Sequence, residues 1–293
     1  MIYDIRLKLS YDYAGSAAAG RHLARVMPLE IAGRQRLVAG LVTVGPKPDE
    51  RRDGRDFFGN STVEFAFRSP HDSLDVTMQA RVDRRADAPG ADLSTPLARL
   101  GHDLEACRDL GPASPLHAVA PSTRVPLGPA TTAFAQTALT PGRTTLAAVL
   151  AVGHALNRHM TFDAGATKVD TPLAEAFAAR KGVCQDFSHI LIAALRGVGI
   201  PAGYVSGFLR TSPPPGKPRL EGADAMHAWV RAWCGTAAGW VEFDPTNACL
   251  AGRDHIVVAQ GRDYSDVAPI KGIMRISGRQ HSEQAVDVVP LEA

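Results

Sequence analysis

The chain has 293 residues, 45% of them hydrophobic and 21% charged, with a formal charge of +2 at pH 7. That length and balance describe a soluble chain able to fold as one large core or two modest domains. The near-neutral charge, with arginines spread along the chain, excludes a basic nucleic-acid or membrane face.

The first six residues, Met1 to Arg6, have no basic stretch followed by an apolar run, so no signal peptide is expected. No apolar run approaches 18 residues, and no membrane span is expected either. The four cysteines, Cys107, Cys184, Cys234 and Cys249, include no CxxC pair. Free thiols and a reducing cytoplasm follow, with Cys107, Cys234 and Cys249 read as small buried hydrophobes.

Ile5, Leu7, Leu9, Tyr11 and Tyr13 alternate with polar residues, which predicts a strand with one buried face. Leu37 to Val44, Val63 to Phe67 and Val76 to Val82 repeat the pattern, and Lys47 to Asn60 has the composition of a hairpin connection. Several alternating strands without a long helix predict a β-sandwich-like N-terminal domain, placed at residues 1–110. Recurring proline and glycine, with a short helix near Pro96 to Leu100, mark residues 111–140 as a linker. The remainder, 141–293, is the second domain.

Helical spacing returns in Thr144 to His159 and in Thr167 to Arg180, where Thr171-Pro172 reads as an N-cap and first-turn pair. Phe187, Ile190, Leu191, Ala194, Leu195 and Val198 mark the face of a third helix. Period two resumes in Tyr204–Phe208, His227–Trp233, Gly239–Asp244 and His255–Ala259. Helices followed by an antiparallel sheet make this half α+β. Thr211 to Glu221, with four prolines, is expected to be an exposed loop.

Cys184 follows Gly182-Val183 at the start of the third helix. Unpaired N–H groups and the helix dipole favour an anion there, and so a thiolate. His227 opens one strand and Asp244 closes the next, so a hairpin through Cys234 to Gly239 should make them cross-strand neighbours. The carboxylate would then hold the imidazole, and the imidazole would take the thiol proton. His189 falls on the far side of the helix and reads as packing; Asp186 reads as a helix cap, and His255 as a lesser candidate base. Cys184, His189, His227 and Asp244 share no recognised ligand spacing, so no metal and no cofactor are expected. Glu221 and Asp224 read as a solvated acidic loop, and no EF-hand-like loop is present.

Gly182-Val183-Cys184-Gln185-Asp186-Phe187, Asp224-Ala225-Met226-His227-Ala228-Trp229 and Gly239-Trp240-Val241-Glu242-Phe243-Asp244-Pro245-Thr246-Asn247 resemble the core motifs of the bacterial transglutaminase-like superfamily. Tyr204–Phe208, Gly261–Val267 and the N-terminal strands resemble the same branch. The resemblance implies a papain-like transglutaminase core preceded by a β-rich domain, with Cys184 as nucleophile, His227 as base and Asp244 as orienting residue. Met226 departs from the serine usual beside the base. Gln185, Tyr204, Ser206, Met226, Trp229, Asn247, Asp263 and Tyr264 are then candidate cleft residues. The implied activity is cysteine-dependent amide or peptide hydrolysis through a thioester. The alternatives are protein-glutamine acyl transfer with isopeptide cross-linking, and a non-catalytic binding protein that keeps the fold. The expected partner is a peptide, protein or small amide substrate, with neither nucleic acid nor membrane, and a homo-oligomer is the default assembly.

Overall fold

A computed structural model describes residues 1–85, 90–211, 224–276 and 278–291. Strand β1 runs from Ile2 to Ala24, well beyond the alternating residues 5–13 that predicted it. It is followed by β2 (Gln35–Gly45), β3 (Glu50–Arg55), β4 (Ser61–Ala66) and β5 (His71–Arg84). The first half of β1 pairs with β5, and its last four residues pair with β4. The register is irregular between Asp12 and Ala17, so one strand bends and serves two halves of a curled sheet. The segment 47–60 is not only a connection, because it contains β3. Every residue of β3 is exposed, and a charged edge strand has the composition of a loop.

The chain continues through α1 (Leu100–Ala106), α2 (Pro129–Ala138), α3 (Thr145–His159), β6 (Thr161–Phe162), α4 (Leu173–Ala179), β7 (Lys181–Gly182) and α5 (Cys184–Gly197). Then come β8 (Ala202–Leu209), β9 (Ala225–Trp233), β10 (Trp240–Asp244), β11 (Cys249–Leu250), β12 (His255–Gly261), α6 (Tyr264–Val267), β13 (Ile270–Arg275) and β14 (Gln280–Leu291). An antiparallel sheet ordered β11-β10-β9-β8-β12 carries α5 against β8 and β9. Of the expected proline-rich loop, 211–221, only Thr211 lies within the described residues. Among the described residues no helix is long and apolar enough to cross a membrane.

Two boundaries drawn along the sequence are corrected. Residues 111–140 hold α2, which packs on α5; the Gly128-Pro129 pair that looked like linker starts this helix, with proline in its first turn. The last strands do not belong to the second sheet. β14 pairs with β1 from Ile2↔Leu291 to Tyr13↔Gln280, and β13 pairs with its far end. A strand with two open edges needs two partners, and β5 supplies only one.

The two sheets meet on edge strand β12, where side-chain amides stand in for a neighbouring strand. Gln35 accepts from the Val257 N–H at 2.9 Å and donates to the Val257 carbonyl at 2.7 Å. Asn60 does the same at Gln260, with both bonds at 2.8 Å. Both amides are buried, so each satisfies backbone groups that water cannot reach.

Candidate active site

Cys184 is the first residue of α5 and is half-buried, while the rest of the helix down to Arg196 is buried. Asp186, three residues after the Val183 N-cap, accepts from the Val183 N–H at 2.8 Å and from the Thr167 hydroxyl at 2.5 Å. This is the carboxylate half of a capping box. Gly182 serves the same cap: a Cβ there would lie 2.6 Å from Asp186 Oδ2. The first-turn N–H groups that an α-helix leaves without intrahelical partners are thus gathered at the thiol.

The β9–β10 register differs from the expected hairpin. Phe243 pairs with Val230, so the next residue, Asp244, falls opposite Trp229 and diagonal to His227. A diagonal neighbour is within reach of a long side chain, and His227 Nε2 lies 2.7 Å from Asp244 Oδ2. The His227 side chain is about nine-tenths buried and Asp244 is fully buried. Burial pushes the imidazole pKa down, but hydrogen bonding to Asp244 and to Cys184, with the charge of Asp244, raises it to about 10. Burial likewise opposes the Asp244 charge, yet the hydrogen bonds from His227 and His255 hold its carboxyl well below the usual range. His227 uses Nε2 on Asp244, which leaves Nδ1 for the thiol.

Asp244 is held from several sides. Its Oδ1 accepts the N–H groups of Thr246 at 2.9 Å and Asn247 at 3.1 Å. Oδ2 also takes the Asn247 side-chain amide at 2.7 Å and His255 Nε2 at 3.1 Å. From α3, Asn157 Nδ2 donates to the carbonyls of Pro245 and Thr246, fixing the turn. His227, Asp244 and His255 offer ligand atoms within 4.8 Å of one another. Three N–H donors already occupy Asp244 Oδ2, so hydrogen bonding accounts for this cluster without a metal.

His255 is therefore not a rival base, since both its ring nitrogens are engaged: Nε2 with Asp244 and Nδ1 with the Gly252 N–H at 3.2 Å. Local sequence could not reveal this, because β8 and β9 separate β12 from β10. The only local signal was a histidine opening a strand. Asn157 had no signal at all.

Most candidate cleft residues support the site from behind. Gln185, Tyr204, Ser206, Trp229 and Asp263 are buried, Tyr204 and Ser206 because β8 is an inner strand covered on both faces. Gln185 donates to the Val169 carbonyl, and Asp263 caps α6 by accepting from Ser265. Trp229 is completely buried among Leu29, Val205, Ala251 and Val257, edge-on to His255 with ring centres 5.2 Å apart. Its ring occupies the space that a side chain at Gly207 would need. Met226 and Tyr264 are half-buried, and Asn247 is exposed. His189 is buried and accepts from the Tyr264 N–H at 3.2 Å, and burial pushes its pKa down to about 4.

Asp224 is not a solvated loop residue. It is buried and accepts from the Thr211 N–H and hydroxyl and the Val288 N–H, while Glu221 lies outside the described residues. Of the three cysteines read as buried, only Cys234 is; Cys107 is half-buried and Cys249 exposed.

Residues 132–245 match the transglutaminase-like superfamily, and residues 3–83 match the bacterial transglutaminase-like N-terminal region. An uncharacterized protein of Mycobacterium tuberculosis is 37% identical over 269 residues, covering 88% of this chain and 83% of its own length. One of Mycobacterium leprae is 30% identical over 284 residues, with 96% of each covered. A crystal structure from Cytophaga hutchinsonii, described as a "Putative Cysteine Protease", superposes with a TM-score of 0.76 at 20% identity, covering all of this chain and 91% of the other. It shares the fold, with its helices and antiparallel sheets. The chain belongs to the transglutaminase-like superfamily and carries the bacterial N-terminal region of that family.

Proposed function

We propose that the protein is a cysteine-dependent amide or peptide hydrolase with Cys184, His227 and Asp244 as its catalytic residues. The observation that carries this reading is the 2.7 Å bond between His227 and a fully buried Asp244, on a ring that also senses the thiol at the start of α5. An imidazole raised to about 10 keeps its proton at neutral pH, which favours an imidazolium beside a thiolate.

The Cys184 sulfur attacks a carboxamide or peptide carbonyl, forming a C–S bond and a tetrahedral oxyanion. The Cys184 backbone N–H, an unused first-turn donor, is placed to receive that charge. His227 gives its proton to the departing amine as the C–N bond breaks, leaving a thioester. Water then attacks the thioester while His227 takes a proton, releasing the acid and restoring the thiolate. The name attached to the Cytophaga hutchinsonii structure agrees with this chemistry, and four free cysteines favour a reducing compartment such as the cytoplasm.

The test is mass analysis of glutamine-containing peptides incubated with and without a primary amine. Hydrolysis gives deamidated or cleaved peptide in both, and Cys184→Ala gives neither. An amine adduct as the main product would replace this reading with acyl transfer. Turnover that survives Cys184→Ala would remove both.

A further inference from the structure

The N-terminal sheet holds β12 at several points around His255, and His255 holds Asp244. We propose that His255 is a positioning residue for the catalytic pair, and that the N-terminal region contributes to catalysis by locking His255 in place. The inference rests on the catalytic reading of Cys184, His227 and Asp244.

The bonding fixes the tautomer of His255. Its Nδ1 faces the Gly252 N–H at 3.2 Å and so acts as an acceptor, without a proton. The ring proton then sits on Nε2, which donates to Asp244 Oδ2 at 3.1 Å. His255 can neither take the thiol proton nor turn away without orphaning a buried group. Its ring is pinned edge-on by Trp229, whose Nε1 donates to Glu242 at 2.8 Å, and Glu242 also accepts from Arg34 at 3.0 Å. The His255 carbonyl accepts from Arg84 Nε at 3.0 Å. Two residues on, Gln35 pairs with both polar groups of Val257. Arg34, Gln35 and Arg84 all come from the N-terminal region. Deleting the donor at His255 frees one lone pair of Asp244 and loosens the carboxylate that orients His227.

The experiment measures alkylation of Cys184 by iodoacetamide against pH, followed by mass spectrometry, with free glutathione in the same tube as reference, since Cys249 lies opposite Asp244. The groups facing His227 are Cys184 on α5, Asp244 on β10 and, with ring centres 6.2 Å apart, His255 on β12. In the wild type, Cys184 should react faster than glutathione, with a basic limb that disappears in His227→Ala. His255→Phe keeps a ring against Trp229 but removes the donor. It should slow Cys184 about tenfold and move the basic limb down by about one pH unit. His255→Gln, which retains a donor near the Nε2 position, should recover most of the loss.

An unchanged profile in His255→Phe, or His255→Gln performing no better, overturns the positioning role. Wild-type Cys184 reacting no faster than glutathione, with no effect of His227→Ala, instead removes the catalytic reading itself. Should His255→Phe fail to fold, the wild-type histidine ¹⁵N spectrum decides: His255 must show a bare Nδ1 and a protonated Nε2, and the opposite tautomer overturns the proposal.

Discussion

Each sheet holds a cluster of buried polar side chains, and the two clusters differ in how they are hydrogen-bonded. On the sheet that carries His227, Asp244 is completely buried and accepts five N–H bonds, from His227, His255, Thr246 and both nitrogens of Asn247. In the N-terminal sheet, Tyr13, His22 and His71 are buried beside Phe65 and Phe67. There the Tyr13 hydroxyl and Nε2 of both histidines have no hydrogen-bond partner among the described residues. His22 stacks on Phe65 with ring centres 5.0 Å apart and behaves as an uncharged aromatic ring, its pKa pushed down by burial and then by His71. A satisfied network fixes geometry, because each bond restricts the others. An unsatisfied ring contributes packing alone, and its polar atom costs stability.

This contrast predicts a ranking of effects. Asp244→Asn keeps the shape but changes an acceptor facing five donors into a mixed group. Activity on an amide substrate should fall by about 10³–10⁴-fold, and an equal loss of thermal stability would show that the network is structural only. Next comes the joint between the sheets. Gln35→Ala strands the Val257 N–H and the Leu29 carbonyl, leaves the Val257 carbonyl to the Leu29 N–H alone, and should cost about 3 kcal/mol in urea unfolding.

The His227–Asp244 pair should also leave a mark on the pH dependence of stability. His227 is raised from 6.5 to about 10 in the fold. Its contribution is therefore fully present below about pH 6.5 and is lost as pH rises towards 10. The loss should be absent in His227→Gln. Asp244 moves the other way: its share is present above the ordinary value of 3.8 and fades only in strong acid. The smallest effect belongs to the N-terminal sheet. His22 is lowered from 6.5, so its contribution holds above that pH and declines as pH falls below it. His22→Phe should remove the decline while changing neutral-pH stability by no more than about 1 kcal/mol. A larger loss would mean that the His22 ring nitrogens have partners in solution.

Much of the catalytic half was legible because its signals are local. Period-two runs announced β8, β9, β10 and β12, and a period-3.6 stripe announced α5. Cys184 stood out by its place at a helix start, and His227 and Asp244 by their places at strand ends. The register between those strands was misread by two residues, because hairpin loop length alone does not report where pairing stops. The cleft assignments to Tyr204 and Trp229 failed for another reason: alternation reveals two faces of a strand, but not that both are covered.

The sequence by itself determined the early strands β1, β2, β4 and β5 and the elements α3, α5, β8, β9, β10 and β12, and singled out Cys184, His227 and Asp244 as candidates, since turns, caps and periodicity act over a few residues. Only the tertiary structure decided that the last strands close the first sheet, that Gln35 and Asn60 substitute for a neighbouring strand, and that His255 shares Asp244 with His227. These contacts join residues up to 289 positions apart, as in the pairing of Ile2 with Leu291. They depend on which edges and polar groups remain unsatisfied after the local elements have formed.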